Sequence, residues 1–227
     1  MGKHKKFKID KATAAERVNA IFPVLKKSYP DARTSLDHKN PLQLLVATIM
    51  AAQCTDVRVN IVTKDLFKKY KTVADFANAD ADELGQDIRS TGFFRNKSAN
   101  IIKCCRILVD KFDGKVPSTM DELLELNGVG RKTANVLLGN AFDTQGIVCD
   151  THVIRLSRRL RLSENKDPAK LEFDLMEVVP RKKWGGWTLF SHLLVYHGRA
   201  ICKARKPDCD NCPIAKFCPV AGKPDLW

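Results

Sequence analysis

The segment Leu126-Asn127-Gly128-Val129-Gly130-Arg131-Lys132-Thr133-Ala134 constrains the fold more than any other stretch of this chain. Two glycines, one residue apart, sit between two segments whose apolar residues recur at helical spacing. Glycine accepts positive φ and lets a partner come close to the backbone. A helix ending near Leu126 and another starting at Arg131 leave a tight hairpin with outward N–H groups. Those orphan donors, with the positive end of the second helix, form an anion site. The segment is not a nucleotide P-loop, because Arg131 precedes Lys132 and the Gly-Lys-Ser/Thr ending is missing. No strand pattern precedes it, so it is not a dinucleotide fingerprint either.

The rest of the chain reads as helices. Residues 1–8 form a basic tail, and Lys11 to Tyr29 carries Val18, Ile21, Phe22 and Leu25 at helical spacing. Asn40-Pro41 is an N-cap followed by proline at the first helical position. The helix it opens, Leu42 to Gln53, is apolar on nearly all sides and should run through the middle of a domain. Asp56 can cap the next helix, with Ile61, Val62, Leu66 and Phe67 inward. Thr72 starts a short helix through Phe76, and Asp80 with Glu83 makes a capping box for another, to about Arg89. A turn with two adjacent aromatics, Phe93 and Phe94, follows, one expected in the core and one exposed. Residues 95–112 present Ile101, Ile102, Cys105, Leu108, Val109 and Phe112 on one face, with Cys104 and Cys105 simply part of it.

Ser118 or Thr119 caps the first hairpin helix, Met120 to Leu126, and the second runs from Arg131 to about Phe142. Its stripe is Ala134, Leu137, Leu138 and Ala141, and Lys132 lies on another face. The connector Ile147 to Cys149 is apolar, and Asp150 precedes a helix with Val153, Leu156 and Leu160 inward. Asp167-Pro168 opens a helix that stops at Pro180, and Trp187 to Ile201 forms a last one. About ten helices and no alternating strand pattern predict an all-α fold.

Charge narrows the partner. Thirty-nine Lys and Arg against 26 Asp and Glu give a net charge of +13, which suits a polyanion. Aromatic residues are only 7%, which argues against broad stacking platforms for single strands. No apolar run reaches membrane-span length, and no apolar region follows the basic residues 1–9, so no signal peptide is expected. Lys6 fills the position where a myristoylation signal after Met-Gly wants Ser or Thr.

Four of the eight cysteines crowd into seventeen residues, as Cys202-x6-Cys209-x2-Cys212-x5-Cys218. A disulfide scaffold is disfavoured without a secretory signal, and metal or cluster binding is favoured. By spacing alone, a zinc site and an iron–sulfur cluster are equally plausible. Lys203, Arg205 and Lys206, between the first two ligands, could reach phosphates from a rigid loop or simply be solvated. His38, His192 and His197 show no ligand spacing and read as packing or surface residues.

Lys132 and Asp150 can be read chemically. A lysine attacks only as the neutral amine, a form that neighbouring Arg131 and the positive helix end both favour. Asp150 has an equally good structural role as a helix N-cap.

The hairpin Leu126 to Ala134 closely resembles that of the endonuclease III family of helix-hairpin-helix DNA glycosylases. Val148-Cys149-Asp150-Thr151-His152 resembles the region that carries the family's catalytic aspartate, with a cysteine where a small residue is common. The x6-x2-x5 cysteine spacing after His197-Gly198-Arg199 resembles the family's 4Fe–4S loop. The resemblance spans roughly Lys11 to Pro219, with these three motifs in the expected order.

The resemblance implies a six-helix barrel domain, residues 34–144, carrying the hairpin. Residues 1–33 and 145–227 would form the cluster domain, with a DNA cleft between the two and Lys132 and Asp150 on its sides. It implies a monomeric, bifunctional glycosylase and abasic-site lyase acting on oxidised pyrimidines or abasic sites in duplex DNA. Hairpin residues Gly128, Val129, Gly130, Arg131 and Thr133 would grip the backbone, with Lys203, Arg205 and Lys206 on the cluster loop. The flipped base leaves a hole that Gln53, in Ala52-Gln53-Cys54-Thr55-Asp56, and a wedge at Phe93 would fill, where leucine is familiar in the family. Lys132 would attack the sugar, Asp150 would activate it, and Cys202, Cys209, Cys212 and Cys218 would hold a 4Fe–4S cluster. By resemblance and the lack of a targeting signal, a prokaryotic cytoplasm is expected.

Two other readings stay open from the residues. A monofunctional mismatch glycosylase shares hairpin and cluster, but typically lacks the hairpin lysine, and the adenine enzymes add a C-terminal domain. This chain has Lys132 and ends nine residues past Cys218. A metal-stabilised DNA-binding module would need hairpin, charge and cysteines, but not the Lys132/Asp150 pair.

Overall fold

The computed structural model describes residues 9–226; the basic tail, residues 1–8, and Trp227 lie outside the described residues. The described residues are all-helical, with eleven α-helices, joined by turns and short 3-10 segments, and no strand. In chain order they are α1 (Lys11–Ser28), α2 (Pro41–Met50), α3 (Asp56–Lys69), α4 (Val73–Ala77), α5 (Ala81–Asp87) and α6 (Phe94–Phe112). Then come α7 (Met120–Leu124), α8 (Arg131–Ala141), α9 (Thr151–Arg159), α10 (Pro168–Val178) and α11 (Gly186–Ala200). The chain divides into two compact units, one of Thr34–Thr144 and one of the residues up to Arg33 with those from Gln145 onward.

Short polar caps start most of these helices. Asn40 Oδ1 accepts from the Gln43 N–H at 2.9 Å, with Pro41 at the first position of α2. Thr72 and Asp75 form a reciprocal box on α4, with bonds of 3.1 and 2.9 Å. Thr119 caps α7, and the Asp167 carboxylate caps α10 through the Lys170 N–H at 2.9 Å. Each such cap satisfies a donor that the helix leaves unpaired, and replacing one by alanine costs about 1 kcal/mol.

In the unit Thr34–Thr144, α2 is the central element. Leu44, Leu45, Val46, Ala47, Ile49 and Met50 are all buried, so it packs on nearly every side, as its sequence requires. Phe76, Leu84, Ile88, Ile101, Cys104, Cys105, Leu108, Leu123 and Leu137 complete that core. The other unit builds a second core from α1, α9, α10 and α11, with Phe22, Leu156, Leu171, Leu175, Phe190 and Leu194 at its centre.

Several expectations need correction. α2 ends at Met50, and Gln53 lies beyond it in the left-handed region at φ 55°. Thr55, not Asp56, caps α3, through the Arg58 N–H at 3.3 Å. Ile61 and Val109 are exposed, because the buried stripes of α3 and α6 are narrower than their runs of apolar residues. Asp80 caps α5 through the Asp82 and Glu83 N–H groups, while the Glu83 carboxylate pairs with Lys69 at 2.8 Å. α7 stops at Leu124, so Leu126 belongs to the turn.

Candidate functional site

The hairpin is fastened from inside. Leu126 and Val129 are buried, and the Val129 N–H donates to the Leu126 carbonyl at 3.1 Å. Val129, expected to meet DNA, therefore anchors the turn with its side chain, and its N–H is occupied. Asn127 Nδ2 donates to Asn100 Oδ1 at 2.8 Å, which ties the turn to α6. Gly128 needs its lack of a side chain, since its φ is 79°. Gly130 is the N-cap residue of α8 and offers no capping side chain. No side chain caps the first turn of α8, a place that suits an anion, and Gly128, Gly130 and Lys132 are exposed beside it. Arg131 and Thr133 in the same turn are half-buried.

Within the same unit, one cavity of about 230 Å3 is lined by Gln53, Phe93, Lys97, Asn100, Gly128 and Thr133. Sequence positions up to 80 residues apart thus converge, and Gln53, Phe93, Gly128 and Thr133 among them are candidates from the sequence. Gln53 is exposed at φ 55°, and Phe93 is 62% exposed at φ 50°. Left-handed backbone is uncommon for glutamine and strained for a bulky aromatic, and such strain clusters at functional sites. Phe94, the next aromatic, packs against the core, so the pair divides as the sequence implied.

Lys97 was not foreseen. It is only 4% exposed, and its ammonium donates to the Thr91 carbonyl at 2.8 Å. Burial holds that ammonium below the ordinary lysine range, and nearby Cys54 opposes the effect. The signal was present in the spacing: position 97 is four residues before Ile101, in register with the buried stripe of α6.

In the other unit, the Asp150 carboxylate accepts from the His152 and Val153 N–H groups, both at 2.8 Å. It caps α9, after the buried connector Ile147 to Cys149. Two arginines on α9 then reach the cysteine loop. Arg155 donates to the Cys202 and Gly198 carbonyls, each at 3.0 Å through Nη2, and that nitrogen lies 3.0 Å from His152 Nδ1. Arg159, buried, donates to the Lys203 carbonyl at 2.9 Å, the Ala204 carbonyl at 2.8 Å and the Cys202 sulfur at 3.3 Å. Lys203, Arg205 and Lys206 are exposed on the loop so fixed.

Cys202, Cys209, Cys212 and Cys218 all line one cavity. A single zinc needs its sulfurs about 2.3 Å from one centre. Among the described residues no three Cys, His, Asp or Glu side chains converge on such a point. Four cysteines lining one cavity are a donor set that would hold an iron–sulfur cluster. His197 is a packing residue, as expected, but it also touches this site. Its Nδ1 is 2.9 Å from Tyr29 Oη and its Nε2 is 3.5 Å from the Cys212 sulfur. Cys104, Cys105 and Cys149 stay buried in the cores, and burial pushes the Cys104 and Cys149 thiols up to about 12.

Residues 46–181 match the sequence model of the HhH-GPD superfamily base excision DNA repair proteins. Residues 202–218, from the first to the last clustered cysteine, match the iron–sulfur binding domain of endonuclease III. The chain is 51% identical to endonuclease III of Synechocystis sp. over 92% of its length and 95% of that protein. It is similar to a solved non-covalent endonuclease III–DNA complex, with a TM-score of 0.86 and 42% identity over 92% of this chain and 97% of that one. A trapped endonuclease III–DNA covalent intermediate matches with the same figures: TM-score 0.86, 42% identity, and coverage of 92% and 97%. The chain therefore belongs to the endonuclease III family of the HhH-GPD superfamily, and is a base excision repair DNA glycosylase and abasic-site lyase with a 4Fe–4S cluster.

Proposed function

We propose that this protein excises oxidised pyrimidines from duplex DNA through a Schiff base on Lys132 and cuts the strand at the resulting abasic site. The observation that carries the reading is Lys132 itself, an exposed lysine in the uncapped first turn after the hairpin. The chain's likeness to an endonuclease III–DNA covalent intermediate supports it. In this reading the unit Thr34–Thr144 is the six-helix barrel that carries the hairpin, and the other unit is the cluster domain.

The chemistry follows from the residues. First-turn N–H groups of α8 hold the phosphate beside the lesion, and the damaged nucleotide is flipped out of the stack. Phe93 and Gln53 fill the gap. The Lys132 amine bonds to C1′ as the glycosidic bond breaks, and the base leaves with that bond's electron pair and takes a proton from water. Asp150 takes the proton that the attacking nitrogen loses. It returns that proton to O4′ as the sugar ring opens to an iminium, which acidifies the C2′ proton. Loss of that proton forms the C2′–C3′ double bond and expels the 3′ phosphate, and water then releases the lysine. Cys202, Cys209, Cys212 and Cys218 would hold the cluster, whose part is to stiffen the loop that presents Lys203, Arg205 and Lys206 to phosphates. The same reading has the enzyme working as a monomer in a bacterial cytoplasm.

Borohydride trapping on a duplex with one thymine glycol tests the mechanism. A stable protein–DNA adduct that disappears in Lys132→Gln is expected. Base release without any adduct would make water the nucleophile and overturn the Schiff-base reading.

A further inference from the structure

Phe93 stands at the tip of a short, tightly wound segment. The Thr91 N–H and hydroxyl both donate to the Ile88 carbonyl, at 2.9 and 2.8 Å, and the Gly92 N–H donates to Arg89 at 3.2 Å. Gly92 and Phe93 both carry positive φ, 71° and 50°, and no side chain caps α6. Left-handed backbone is strained for a bulky aromatic such as Phe93, so the turn gains from any further contact that fixes it. Lys97, one turn into α6, reaches back and donates its ammonium to the Thr91 carbonyl. A leucine or methionine at 97 would fill this core position without desolvating a charge, so the lysine is a poor choice for packing alone.

We infer that Lys97 is a positioning residue that locks the Thr91–Phe93 turn and so holds the Phe93 ring out as the wedge. Phe93 and Lys97 share one cavity wall with Gln53, and the ammonium bonds the carbonyl two residues before the ring. This inference rests on the reading of Phe93 as the wedge. A wedge matters only where an opposite base must be kept from closing the gap. Losing its anchor must therefore slow excision in a way that depends on what lies opposite the lesion.

The test measures single-turnover base release by the full chain with its cluster, from two duplexes. One has the lesion opposite adenine and the other has it opposite an abasic analogue. Rates are taken per molecule that borohydride traps on an abasic duplex, which removes misfolded protein from the comparison. Lys97→Met and Phe93→Ala should each slow release by about tenfold opposite adenine and far less opposite the abasic analogue. In the double variant, Lys97→Met should add less than about twofold to Phe93→Ala, because both remove one device. Lys97→Gln, which keeps a shorter donor, should lose less than Lys97→Met. Equal losses on both duplexes, or losses that multiply in the double variant, would overturn the inference while leaving the wedge intact. A Phe93→Ala protein with no opposite-base dependence would remove the wedge reading, and this inference with it.

Discussion

Gly128 packs against Asn100 so closely that a Cβ on Gly128 would lie 3.2 Å from the Cβ of Asn100. Gly130, two residues on, has open space where its Cβ would be, and an ordinary φ of −98°. The two glycines therefore do different work. Gly128→Ala forces a side chain into left-handed backbone, which costs about 1–2 kcal/mol, and it crowds α6 as well. Its melting temperature and its duplex affinity should both fall. Gly130→Ala should leave the melting temperature within error while weakening duplex affinity, because only a bound backbone would feel the new methyl group. Equal affinity for Gly130→Ala and the parent protein would mean that no phosphate approaches this residue.

Asp150 holds two N–H groups at 2.8 Å and is also the proposed proton acceptor. Asparagine caps helices as well as aspartate does, whereas alanine costs about 1 kcal/mol. Asp150→Asn should thus fold with nearly parental stability and yet release the base far more slowly. Asp150→Ala should show both the stability loss and the slow release. Thermal unfolding beside single-turnover kinetics separates the two roles, and normal release by Asp150→Asn would leave only the cap.

These two sites were legible because their signals are local. The Asp150 cap, the Asn40-Pro41 start and the Gly128/Gly130 turn each need only a few neighbouring residues. Spacing places Lys97 on the buried stripe of α6, but its partner, the Thr91 carbonyl, is a backbone group that no residue pattern marks. The grip of Arg155 and Arg159 on the cysteine loop spans more than 40 residues of chain and leaves no local trace. Gln53 read as the end of a helix, but the chain leaves α2 three residues earlier and turns left-handed there. Periodicity marks the stripes of α3 and α6 but not their width, so it places Ile61 and Val109 inward although they are exposed.

Thiol accessibility follows the same division. Cys104, Cys105 and Cys149 are no more than 5% exposed, and burial keeps all three thiols protonated at neutral pH. Only the thiolate reacts with alkylating agents. With the cluster in place, iodoacetamide at pH 8 should modify half-buried Cys54 first and spare these three. Peptide mapping by mass spectrometry reads the result, and early labelling of Cys104 or Cys105 would contradict the packing of α6.

Lys203, Arg205 and Lys206 are exposed on a loop that Arg159 fixes through two carbonyls. Each phosphate neutralised by a cation releases a counterion and adds about 0.9 to the slope of log affinity against log salt. Replacing all three by alanine should flatten that slope by about 2 to 3 and leave the melting temperature almost unchanged. An unchanged slope would mean that this loop faces away from DNA and that its charge is ordinary surface solvation.

His192 gives a pH dependence with a definite sign. Burial lowers its imidazole from an ordinary 6.5 to about 4. The folded protein therefore keeps it neutral, while the unfolded chain takes up a proton once the pH drops below 6.5. Its contribution is complete above that value and is lost as the pH falls toward 4, at most about 3 kcal/mol across the window. Carboxylates also titrate in the lower part of this range, so the variant isolates the histidine. Denaturant unfolding of the parent and of His192→Asn at pH 5 and pH 7 should show a smaller drop between the two pH values in the variant. Equal drops in both proteins would mean that His192 is charged in the folded state and plays no part in the acid sensitivity.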